Sequence, residues 1–165
     1  MGLSMGLALL AGLTTLPTAL GLAQEVTTKR FGAWELHCEA RPNLPPTECG
    51  LKQTVTSEDK ANVNITAMII RPFKAPAAIL RIIAPPTVYL VNGVSVKIDQ
   101  TDIGRLPFFR CLPGGCVSDA PLNAELISKL KTGKIVTLVI YMEPGEGLRH
   151  QVKLDGFKEA FEQLR

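Results

Sequence analysis

The chain has 165 residues, of which 46% are hydrophobic and 20% charged, with a formal net charge of +3. That is the length of one domain with a real core. The basic residues are dispersed, only Lys129, Lys131 and Lys134 lying close together, which argues against a nucleic-acid partner.

Residues 2–23 contain no charged side chain and run from an apolar stretch at 7–13 to small residues at Gly21 and Ala23. That is the h-region and c-region of a signal peptide, with cleavage expected before Gln24 and, as second choice, after Ala19. Residues 1–23 are therefore predicted to be a signal peptide and 24–165 the mature domain. The first basic residue is Lys29, so a proper n-region is missing, and a translation start upstream of Met1 would supply it. The alternative, a retained anchor, fits less well. Thr14, Thr15, Pro17 and Thr18 interrupt a run that falls short of the roughly 20 apolar residues a span needs.

Beyond the leader, Trp34, Leu36 and Cys38 alternate with Glu35 and His37 as in a half-buried strand. Val63, Ile65, Ala67 and Ile69 form a second apolar row opposite Asn62, Asn64 and Thr66. Residues 77–84 and 135–142 are denser in branched apolar side chains and read as central strands, buried more fully than their neighbours. Asn92-Gly93 predicts a type I′ hairpin turn with strands over 87–91 and 94–99. Such runs give about eight strands, the pattern of an antiparallel β-sandwich or barrel-like domain.

Two short helices complete the predicted fold, near 120–131 and 156–164. The first has Pro121 in its opening turn and Leu122, Leu126 and Leu130 at a spacing of four, with Gly133 after its end. The second puts Phe157, Phe161 and Leu164 on one face, which must dock on the sheets because so short a helix is marginal alone. The proline- and glycine-containing segments at 42–46 and 144–147 are expected to be exposed tips.

Four cysteines fall into sequence-local pairs, Cys38 with Cys49 and Cys111 with Cys116, each bracketing turn residues. Three pairings are possible, and the local one is favoured, as a structural disulfide framework in an exported domain. Short loops of this kind stabilise by about 2 to 3 kcal/mol each on the chain-entropy model. A redox pair at Cys111 and Cys116, or a metal site adding His37 or His150, is the sharper alternative, but neither spacing is typical of those chemistries.

No nucleophile elbow, zinc-protease, EF-hand, P-loop or dinucleotide motif is present, so no catalytic residue, metal or cofactor is assigned and the chain is expected not to be an enzyme. Glu35 and His37 share an outward strand face and could pair for proton transfer, although solvated surface is the plainer reading. His150, beside Arg149, reads the same way. Phe73, Phe108 and Phe109 read as buried core. In a second reading, Arg105 and Arg110 make a basic rim around Leu106, Pro107, Phe108 and Phe109 at a partner-facing edge.

Several elements occur in order: Phe31-Gly32-Ala33-Trp34-Glu35-Leu36-His37-Cys38, Cys49, Leu106-Pro107-Phe108-Phe109-Arg110-Cys111 with Gly115-Cys116, and Leu154-Asp155-Gly156-Phe157 before Ala160 and Leu164. From about Val26 to Leu164 the chain thus resembles the invasion-associated locus B family of exported bacterial proteins. The resemblance implies a β-rich periplasmic or envelope-associated protein of a Gram-negative bacterium, with host-cell invasion as the source of the family name. It carries over no catalytic residues. The expected function is that of a non-enzymatic envelope protein acting through protein or surface contacts with an unidentified envelope or host-surface partner, and contributing to invasion if its bacterium is host-associated. The alternative is a periplasmic folding or stress factor holding clients on an apolar surface, for which an exposed contiguous apolar patch would speak.

Overall fold

Strands that bury one face and wet the other dictate alternation, and the chain obeys it through most of its length. The computed structural model describes residues 26–39, 48–72 and 77–164, with Gly2 and Ala75. The leader at 1–23 apart from Gly2, the tip at 42–46 and Phe73 lie outside the described residues. The first five strands are β1 (Val26–Phe31), β2 (Trp34–Glu39), β3 (Glu48–Thr56), β4 (Asn64–Ile70) and β5 (Ile79–Ala84). A 3-10 turn at Leu90–Asn92 precedes β6 (Val94–Ile98), β7 (Thr101–Leu106), β8 (Arg110–Leu112) and β9 (Gly115–Pro121). Helix α1 (Ala124–Thr132), β10 (Ile135–Glu143), β11 (Glu146–Lys153) and α2 (Phe157–Gln163) follow.

The strands make two antiparallel sheets, one of seven in the order β1-β2-β3-β4-β5-β9-β8 and one of four in the order β11-β10-β6-β7. The sheets stack without closing into a barrel, so the fold is a mainly β sandwich. Leu51, Ile65, Ile69 and Ile82 from the larger sheet meet Val94, Leu138, Ile140 and Val152 from the smaller in one core. A polar latch joins the sheets at one place. The Gln53 side-chain amide donates to the Lys153 carbonyl at 2.8 Å and accepts from the Lys153 amide at 2.9 Å, while Trp34 Nε1 donates to the same carbonyl at 2.8 Å. Buried Gln53 thereby satisfies both ends of its amide, as a polar group in a core must.

Four sequence expectations change. Residues 87–91 do not form a hairpin strand; they carry the chain from β5 in one sheet to β6 in the other, with Val88 buried and the Tyr89 amide bonded to the Tyr141 carbonyl. Strand β6 pairs instead with β7 and β10, and Asn92 ends the 3-10 turn. The first helix starts later than 120, because Ala120 and Pro121 still pair with Leu80 and Ile79 in β5. Asn123 is its N-cap, its side chain accepting from the Leu126 amide at 2.8 Å. The strands number eleven among the described residues, the additions including the polar, largely exposed edges β1, β7 and β8. The segments at 79–84 and 135–143 are central strands but bury only alternate residues, since the outer faces of the sandwich are wet.

Candidate functional site

Both disulfides join residues that stand directly opposite on paired strands. Cys38 faces Cys49 across β2 and β3, and Cys111 faces Cys116 across β8 and β9, with Cα separations of 4.1 and 3.9 Å. Such short separations belong to non-hydrogen-bonded antiparallel pairs, where side chains approach most closely. With all four sulfurs bonded, none is a thiol nucleophile or a thiolate ligand in this state.

The two histidines have opposite environments. His37 stays on the outward face, its Nε2 3.4 Å from Glu39 and its Nδ1 3.3 Å from the Thr28 hydroxyl, while Glu35 pairs with Lys52 at 3.8 Å. His150, read from sequence as a surface residue, is fully buried because it is an inward position of β11. Its Nδ1 and Nε2 stand 3.2 Å from the Leu148 and Val63 carbonyls. Val63 also accepts from the Ser57 amide, so Ser57, Asp59 and His150 share one corner. The corner is a latch. Ser57 Oγ accepts from the Asp59 and Lys60 amides, and Asp59 holds the Arg149 guanidinium and amide. Those Arg149 bonds draw the Asp59 carboxyl down to a pKa of about 2.

Burial holds the His150 imidazole below its ordinary 6.5, against the opposing pull of the Val63 and Leu148 carbonyls. The unfolded chain binds this proton near pH 6.5 and the native chain only at lower pH, so protonation favours unfolding. The resulting stability is complete above that pH and is lost as the pH falls toward the native value. Urea midpoints are expected to drop between pH 7.5 and 5, and to drop less in His150→Gln, which keeps a hydrogen-bonding side chain without the titration. Equal slopes in both proteins would show that another group controls this window.

The outer face of the seven-stranded sheet carries a surface groove. Register places Glu35, Lys52, Met68, Arg81 and Asp119 in one row across five strands, with His37, Gly50, Ile70 and Ile79 in the next. A groove of about 390 Å³ lies over these rows, floored by Gly50, Met68 and Ile70. Gly50 puts no side chain on that floor, where a Cβ would make an ordinary contact with Ile70 Cγ2 at 3.4 Å. Lys52, Arg71 and Arg81 line it together with His37 and Glu39. Much of this charge is paired: Arg81 forks onto Asp119 at 2.8 and 2.7 Å, which raises the guanidinium pKa further. The result is a half-buried apolar floor among fixed charges, suited to recognition.

Phe108 is half-buried and packs on the core, whereas Phe109 is 53% exposed, so the expectation of core burial fails for Phe109. The reason is its place at the sheet edge, just before β8. β8 is a three-residue edge strand, and nothing covers its outer side chains among the described residues. Sequence reasoning also passed over Met68, Ile70 and Gly50 as site residues, because their alternation signals only a strand.

Residues 34–165 match the family described as Invasion associated locus B (IalB) protein. Two Brucella abortus proteins, each named an invasion protein B homolog, from strain 2308 and from biovar 1 strain 9-941, are 23% identical over 99% of this chain and 94% of their own length. The crystal structure of invasion associated protein b from Bartonella henselae superposes with a TM-score of 0.67 at 19% identity, covering 84% of this chain and 94% of that one. That likeness shows the shared sandwich. With four-fifths of its length matched by the family, in the region that carries both disulfides, the chain belongs to the invasion associated locus B (IalB) family.

Proposed function

We propose that this is an exported protein of the bacterial envelope that acts by contact, without catalysing a reaction, and contributes to host-cell invasion where its bacterium is host-associated. The observation that carries the reading is the open outer face of the seven-stranded sheet, where an apolar floor is set among paired charges. Such a surface offers shape and polarity to a partner protein. Two disulfides suit an oxidising compartment, the apolar segment at 2–23 suits export, and the family name supports the link to invasion.

The test is photocrosslinking in intact cells, with the photoreactive residue at position 68 on the groove floor and, as control, at position 137 on the outer face of β10. A discrete adduct at 68, absent at 137, is the expected result. No adduct at 68 would sink the contact reading for this face. Adducts smeared over many proteins would instead support the client-holding alternative.

A further inference from the structure

We infer that one corner of the sandwich is a membrane-docking surface for anionic lipid headgroups. Four of the five large apolar side chains that stand exposed among the described residues, Leu90, Val91, Phe109 and Leu112, belong to the segments that meet there. The 3-10 turn at Leu90–Asn92 runs into Gly93, whose backbone passes so near β7 that a Cβ would collide with the Leu106 carbonyl and stand 3.4 Å from Arg105 Cγ. From Leu106 the chain crosses at once to β8, and Cys116, bonded to Cys111, reaches back toward the Pro86 carbonyl at 3.9 Å. Both tyrosines of the chain meet at this end too, through the Tyr89 amide and the Tyr141 carbonyl.

The two segments carry charge of one sign. Segments 85–94 and 104–118 contain Arg105 and Arg110 and not one acidic residue. Neither guanidinium has an ion-pair partner among the described residues; Arg110 lies over the Phe109 ring at 5.5 Å. The exposed Glu143 and Glu146 close the β10–β11 hairpin at the same end of the smaller sheet, with β6 standing between β10 and β7. Leucine, valine and phenylalanine beside unpaired arginine is the chemistry of a bilayer interface, where apolar tips enter the acyl boundary and cations meet phosphate.

A fluid bilayer also fits the shape better than a protein does. The apolar residues stand on two separate segments stiffened by Pro85, Pro86, Pro107 and Pro113, and not on one continuous patch. A stable protein interface wants about 800 Å² of contiguous surface per partner. The inference shares with the contact reading only the premise of export, and uses a different surface from the groove.

Flotation of the full chain with vesicles of phosphatidylcholine alone, or with one-third phosphatidylglycerol, tests it. Binding is expected to the anionic vesicles and to weaken with salt. The pair Arg105→Glu with Arg110→Glu should lower the partition coefficient at least about 30-fold, at roughly fivefold per lost cation. All variants keep the apolar residues 1–23, so any binding through them is common to every sample. A Phe109→Trp variant reports the corner directly, since Trp34 is buried. Its emission should shift to the blue on anionic vesicles and be quenched by brominated lipid. An unshifted emission on vesicle-bound protein, or charge reversal without effect, would overturn the proposal. So would a shift that grows with protein concentration and needs no vesicles, which marks self-association. Crosslinking at position 68 would be untouched by any of these results.

Discussion

Phe157→Ala is expected to lower the unfolding free energy by about 3 to 5 kcal/mol, the range for truncating a buried aromatic. The ring is fully buried, edge-on to Trp34 at 5.2 Å and 5.6 Å from Phe161. It is also the anchor of α2, which at seven residues cannot hold itself together and depends on its docked face. Loss of the ring therefore removes core contacts and frees the last element at once. Urea denaturation at pH 7.5 measures it. A loss below about 1 kcal/mol would mean that the region refills the space or that α2 contributes little.

Gly156→Ala should cost about 2 to 4 kcal/mol, from a left-handed backbone that disfavours a side chain and from the atoms a Cβ would strike. Gly156 has φ 75°, and a Cβ would collide with the Phe31 carbonyl and stand 2.7 Å from the Gly32 amide nitrogen. The approach is reciprocal: at Gly32, with φ 53°, a Cβ would collide with the Asp155 carbonyl oxygen and side chain. The Ala33 amide donates to the Asp155 carbonyl at 3.1 Å, so the β1–β2 turn and the start of α2 are packed backbone to backbone. Gly145→Ala is the control, because Gly145 also has positive φ but a Cβ there meets nothing within 4 Å. If the two alanine variants lose equal stability, conformational strain alone accounts for Gly156 and the close approach does not matter.

The parts of the candidate sites were unequally legible in the sequence. Local cysteine spacing around turn residues favoured the pairs that the structure joins, since an antiparallel hairpin brings near neighbours opposite one another. Arg105, Phe109 and Arg110 were legible as a charged aromatic segment. Their company with Leu90 and Val91 was not, because 14 or more positions separate the two segments and only the crossing from β5 to β6 brings them to one end. The sheet groove was hidden for a related reason. Glu35, Lys52, Met68, Arg81 and Asp119 form a row only once five strands are in register, and register is a long-range property.

What the amino-acid sequence determined by itself is whatever depends on near neighbours: the β class from period-two alternation, the apolar face of α2, and the Gly156 to Phe157 junction. Solvent on one side of a strand and core on the other suffice to impose those patterns. The tertiary structure decided which segments cross between sheets. Asn92-Gly93 has good hairpin chemistry, yet the preceding residues pass to the other sheet, with Val88 buried and the Tyr89 amide bonded to the Tyr141 carbonyl, so the local preference yields. It likewise placed His150 inside and Phe109 outside, against their residue types, because burial is set by the elements that stack on a position, and those elements lie far away in the chain.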